Sequence, residues 1–290
     1  MISIIICART PQLSQLLLTS IKESIGVPFE LVVINNTQNQ LTIFQAYNLG
    51  VSKSNFSYLC FMHDDILFHT PNCGQIVCRH FEDNATGAIG IGGSKYLSYM
   101  PGAWWSTGFE ELNIIHTDPA NNKSVTQTIK KTVGNKSEVT AVDGVWFCIP
   151  RQLFQKIKFD EETFKGFHHY DLDICRQIAA QGYKIYVVFD VLIEHFSRGN
   201  INQSWLDNAL IFQRKWRKQL PASLVHLNPK AQFDLEMKIL FLYMGMLQDS
   251  KSAKEINKIA FNLLLRFRSA YQVLYTPVLL FKFLKNSLRN

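Results

Sequence analysis

The sequence predicts an α/β chain: a mostly parallel central sheet flanked by helices, continued at its C-terminus by a helical extension. Three observations carry that prediction. Apolar runs rich in β-branched residues, "ISIIICA", "FELVVIN" and "FSYLCFM", recur early in the chain, and such runs suit strands buried on both faces. Stretches with helical spacing lie between them, so strands alternate with helices, as parallel pairing through crossovers requires. After Asn202 the pattern is helical and amphipathic to the end, with breaks at Pro221, Pro229 and Pro277.

Taken in order, "ISIIICA" is the first strand, Pro11 breaks it, and "LSQLLLTSIKESI" is the first helix. "FELVVIN" is the second strand, "LTIFQAYNLGVSKS" a helix ending near Gly50, and "FSYLCFM" the third strand. From about Gly87 to Asn135 the composition loosens into Gly, Asn, Thr and Ser around "PGAWWSTG", which predicts a long loop of the kind that carries function. "VTAVDGVWFCIPRQLF" reads as a strand, a turn and the start of a helix. In "YDLDICRQIAAQGYKIYVVFDVLIEHF", Leu172, Cys175, Ile178 and Ala179 mark one helical face, Gly182 suits the stop, and the rest is strand-like. The division expected is residues 1–204 as the main domain and 205–290 as the extension.

Composition narrows the function. With 290 residues, 47% hydrophobic and 18% charged, the chain buries a real core. Its formal charge is +7, yet residues 251–290 alone hold eight basic residues against the single acid Glu255, so the remainder is nearly neutral. That argues against a nucleic-acid-binding surface. The six cysteines form no CxxC pair and suit buried free thiols. "MISIIICART" lacks the basic n-region of a signal peptide, and the expectation is a cytoplasmic protein. No uninterrupted apolar stretch of the tail reaches the roughly 18 residues of a spanning helix. A helical cap or a homodimer contact is favoured slightly over peripheral contact with the membrane's inner face.

The chemistry centres on "YLCFMHDDILF", where His63, Asp64 and Asp65 interrupt an apolar run. Adjacent carboxylates at the end of a buried strand are costly unless a cation faces them. In parallel sheets such strand ends are where ligands bind. Asp171 with Asp173 opens a helix, and His195 follows the last strand. Carboxylates plus imidazole suit Mn2+ or Mg2+, and such an ion can bridge a diphosphate. Plainer readings stand beside these: Asp64 and Asp65 as an exposed turn, Asp171 as a helix-start acid favoured by the dipole, and His195 as a packing residue. Trp104 and Trp105 either stack on a sugar or anchor their loop.

The order of these segments resembles an inverting, family-2-like glycosyltransferase of the Rossmann-like GT-A fold, over roughly residues 2 to 200. "SIIICART" is similar to the family's first strand, "VVINNTQ" to its nucleotide-binding strand end, "AYNLGVSKSNFSYLCFMHDD" to the run into its DxD metal motif, and "FHHYDLDICRQIAAQGYKI" to its base-bearing helix. The resemblance implies a nucleotide diphosphate sugar as donor, bound through Ala8, Arg9, Asn35, Asn36, Asn48 and Asp64, with a divalent metal on Asp65 and His195. It implies Asp171 as the base acting on a glycan or lipid-linked acceptor, with Trp104, Trp105, Asp143, His168 and His169 on the acceptor side or in a lid. Three departures stand out: His63 replaces the leading acid of the metal motif, Asn35 and Asn36 stand where the family offers an acid, and Tyr170 replaces the Glu before the base. A sugar-1-phosphate nucleotidyltransferase would show a Gly-rich loop after the first strand, and "CARTPQLSQ" has no glycine. A degenerate, non-catalytic binding or scaffold protein is the remaining alternative.

Overall fold

In the computed structural model, which describes residues 1–267 except Arg198, Asn200 and Asp249, strands and helices alternate at the start as expected. β1 (Ile2–Ala8), α1 (Gln15–Ser24), β2 (Phe29–Asn35), α2 (Ile43–Lys53) and β3 (Tyr58–Met62) form two crossover units. Every residue of β1 is buried, which is why its sequence is continuously apolar. Side-chain caps start both helices: Ser14 accepts from the Leu17 amide, and Thr42 with Gln45 closes a capping box.

Next come β4 (Ile66–Phe68), α3 (Cys73–His80), β5 (Thr86–Gly90), β6 (Gly92–Ser94), β7 (Tyr96–Leu97), β8 (Glu110–Asp118), β9 (Lys123–Ile129), β10 (Lys136–Val139), β11 (Ala141–Val142) and β12 (Trp146–Pro150). They are followed by α4 (Tyr170–Ala180), β13 (Lys184–Val188), β14 (Ile193–His195), α5 (Gln203–Trp216), β15 (Ala222–Ser223), α6 (Pro229–Met246) and α7 (Ala253–Arg266). The main sheet runs β10-β13-β5-β12-β3-β1-β2. It is parallel across β2-β1-β3 and between β5 and β13, while β12 and β10 run against their neighbours. A second sheet orders β11-β6-β8-β14-β4, with β9 hydrogen-bonded to β8.

The segment from Gly87 to Asn135 is therefore not one long loop, because β6 to β9 lie within it. β9 is exposed along almost its whole length and β8 is only partly buried, so neither needs the apolar run by which buried strands are recognised. Two short connections cross between the sheets. His63–Asp65 passes from β3 in the main sheet to β4 in the second, and Asp143–Val145 passes from β11 in the second sheet back to β12 in the main one.

The C-terminal helices share the core of the sheets. One apolar cluster contains Phe44, Tyr47, Phe61 and Phe147 together with Trp205, Phe212, Phe233, Leu240, Tyr243 and Leu263. All six cysteines are free. No described helix is long and apolar enough to cross a membrane; residues 268–290 lie outside the described residues.

Candidate active site

The His63–Asp65 connection and the end of β14 bring three ligand-type side chains together. His63, Asp65 and His195 each offer one atom to a group whose members lie within 4.8 Å of one another. The Asp65 Oδ1 stands 3.8 Å from His63 Nδ1 and 3.5 Å from His195 Nε2, and this buried oxygen has no hydrogen-bond partner. The Tyr170 hydroxyl lies 3.1 Å from the Gly144 carbonyl and 3.0 Å from His63 Nε2, so it ties the histidine to the Asp143–Val145 connection. Burial and the neighbouring His195 push the His63 pKa down, keeping the imidazole a neutral ligand. Burial alone would raise Asp65, but His195 and His63 overcome it and hold the carboxyl far below its usual range. Two nitrogens and one oxygen around an unsatisfied lone pair are a donor set that fits a divalent ion.

Asp64 does a different job. The Arg9 guanidinium donates to Asp64 Oδ1, with its Nε at 2.9 Å, while the Arg9 amide donates to Oδ2 at 2.9 Å. The same guanidinium reaches Asp65 Oδ2 at 2.9 Å. Arg9 thus supplies the cation that the paired acids call for, and it leaves Asp65 Oδ1 to the histidines. Ala8, the residue before it, is buried at the end of β1.

The Asp143–Val145 connection joins this cluster to Asp171. Val145 accepts from the His63 amide at 3.0 Å, and the Gly144 amide donates to Asp171 Oδ2 at 2.9 Å. A Cβ on Gly144 would collide with the Tyr170 hydroxyl, so only glycine lets Tyr170 reach across to His63. Desolvation, followed by the charge of Asp143, raises the Asp171 pKa to about 7. Asp143 is held in turn by Trp104, whose Nε1 donates to it at 3.1 Å. Trp105 packs edge-on against Trp104, yet it is 46% exposed.

The remaining expected residues divide. Asn35 lies exposed at the end of β2, with its carbonyl accepting from Thr37. The Asn36 amide is engaged at both ends by the Leu41 backbone, and Asn48 holds the Phe159 backbone from both ends. These two side chains brace loops. His169 is buried against Trp205 and Phe212, and desolvation lowers its pKa to about 3. Burial also lowers the pKa of His168. Sequence reasoning passed over His63 as a ligand because it was read against an acid, and over Trp205, which lies 6.2 Å from Trp105 ring to ring.

Comparisons with known proteins give a family and a likeness of fold. Residues 3–217 match the profile of a family described as "Glycosyltransferase like family". The "Streptomycin biosynthesis protein StrF" of Streptomyces griseus is 28% identical over 202 residues, which is 64% of this chain and 64% of StrF. The chain thus spans slightly less than two thirds of that relative. TarS 1-349 of S. aureus has a TM-score of 0.53 at 12% identity, covering 91% of this chain and 79% of that one, a likeness of fold. GalNAc-T7, solved with UDP, GalNAc and Mn2+, has a TM-score of 0.49 at 13% identity, covering 84% of this chain and 56% of that one.

Proposed function

This chain belongs to the glycosyltransferase-like family, and from that premise we propose that it moves a sugar from a nucleotide diphosphate sugar to a hydroxyl of a glycan or lipid-linked acceptor, with inversion. The observation that carries this reading is the Asp143–Val145 connection, which hydrogen-bonds on one side to the candidate metal ligand His63 and on the other to Asp171. A divalent ion, Mn2+ or Mg2+, held by His63, Asp65 and His195 would neutralise the leaving diphosphate.

The chain's own residues do the rest. Asp171 accepts the proton of the acceptor hydroxyl as its oxygen bonds to the anomeric carbon and the bond to the diphosphate breaks. A carboxylate with a pKa of about 7 is a stronger base than an ordinary aspartate and is still ionised in useful amounts at neutral pH. Arg9 holds Asp64 in place and offers a guanidinium beside the diphosphate position. Asn35 presents an amide nitrogen for the edge of the base, and the exposed ring of Trp105 offers a platform to a sugar. His63 and Tyr170, two departures from the family's pattern, bond to each other, which gives both a use and favours an enzyme over a degenerate scaffold.

The test is a panel of nucleotide sugars incubated with the protein and Mn2+ or EDTA, read as nucleotide diphosphate release and thermal stabilisation. One donor that is hydrolysed with metal, inert with EDTA and inert with Asp65→Ala supports the proposal. A broad panel in which nothing binds or turns over refutes it.

A further inference from the structure

His195 has a further imidazole beside it. β14 and β8 run parallel in a register that sets His195 against His116, and register partners in a sheet share a face. The opposite face agrees: Thr117, next to His116, donates to Glu194, next to His195. Three imidazoles therefore stand in a row, with 5.5 Å between the ring centres of His63 and His195 and 6.3 Å between those of His195 and His116.

His116 does not share the group whose ligand atoms lie within 4.8 Å of one another, so its partner is something an ion there would hold rather than the ion. Its place on β8 says what. Gly92, whose carbonyl accepts from the Asp143 amide, pairs with Leu112 of β8. From Leu112 the strand runs on to His116, about 13 Å at roughly 3.3 Å per residue. β8 thus carries the ring away from the Asp143–Val145 connection that holds Asp171, the side a leaving group takes in an inverting displacement. On its other flank His116 faces Val125 of β9, which is 63% exposed, so the row of rings opens to solvent and leaves room for a ligand.

We propose that His116 is a donor-binding residue, whose imidazole N–H donates to a phosphate oxygen of the nucleotide diphosphate. This rests on the transferase reading, because a diphosphate at the ion is what brings phosphate oxygens to the ring. Hydrogen bonds to charged oxygens are the strong ones, and removing this one should be plain in binding.

UDP, GDP, ADP and dTDP are titrated calorimetrically into the full chain with saturating Mn2+, and Mn2+ is titrated alone. For the nucleotide that binds, His116→Ala and His116→Phe should each weaken affinity roughly tenfold to a hundredfold and leave affinity for Mn2+ alone unchanged. His116→Gln keeps an N–H at similar reach and should recover most of the loss, whereas a ring that only packs would be rescued by phenylalanine. If His116→Phe binds the nucleotide as tightly as the wild type, the inference is overturned and the transferase reading stands. The same follows if affinity for Mn2+ alone falls as far as that for the nucleotide, since His116 then serves the ion. A wild-type chain that binds none of the four with Mn2+ present overturns the transferase reading, and the role of His116 falls with it.

Discussion

At the scale of the residue, the site turns on two side chains whose environments contradict their usual chemistry. Asp171 keeps its proton to about pH 7 because it is desolvated beside Asp143. Its basic form therefore grows in between about pH 6 and pH 8, and kcat should climb through that window. Asp171→Asn should lower kcat by roughly a thousandfold while donor-induced thermal stabilisation persists; an unchanged kcat would remove Asp171 from the chemistry. Stability shows the opposite sign. A carboxyl whose folded pKa is raised contributes most below its unfolded pKa and loses that contribution as pH rises towards 7. Asp171→Asn should accordingly raise the melting temperature at alkaline pH and change it little in acid. His63 is the second such residue. His63→Ala should weaken binding of Mn2+ alone by tens of fold in a calorimetric titration, whereas a purely packing histidine would leave it unmoved. Asp65, His195 and Asp171 were legible in the sequence because acids and imidazoles at the ends of apolar runs are costly without a purpose. His63 was not, since its place beside Asp65 and His195 and its hydrogen bond to Tyr170, 107 residues away, come from tertiary packing that sequence spacing does not encode. Asn36 and Asn48 show the converse: amides near a strand end look like ligand groups until their backbone partners are seen.

At the scale of the element, two connections between sheets make the site, and a third contact steadies its rim. α6 buries Glu236, which accepts from the Tyr96 and Ser98 hydroxyls and from the Tyr99 and Met100 amides. Those residues lead into the turn that carries Trp104 and Trp105. Glu236→Ala would strand four donors in a buried place, at a cost on the order of 3 kcal/mol or more. The expected outcome is a clear fall in melting temperature and, at temperatures where the variant stays folded, a raised KM for the acceptor. β1, β3 and β12, which run into the candidate site, were legible because they are buried on both faces. The second sheet was hidden, since β9 faces solvent and β8, though partly buried, carries the polar residues of a loop.

At the scale of the whole molecule, the division that composition draws near residue 204 crosses a continuous core. α4 carries Asp171 and also Asp173, a 1% exposed carboxylate that accepts from Trp216 Nε1 and Lys215 Nζ of α5, each at 2.7 Å. Trp205, at the start of α5, packs on His169 just before α4. α6 adds Phe233, Leu240 and Tyr243 to the cluster around Phe44 and Tyr47. Removing one large buried side chain typically costs about 2 to 5 kcal/mol, and a domain's whole stability is of order 5 to 15 kcal/mol. A chain ended after Ser204 discards several such side chains at once and leaves Asp173 without its cation. It should be insoluble or lack a cooperative thermal transition. A chain ended after Phe267 keeps every contact that the described residues of that core make with one another. It should melt within a few degrees of the full chain and, with an activity assay in solution, turn over donor at a similar rate. If the shorter chain folds cooperatively and binds donor, the helices are an accessory, and the core they share with the sheets does not govern folding.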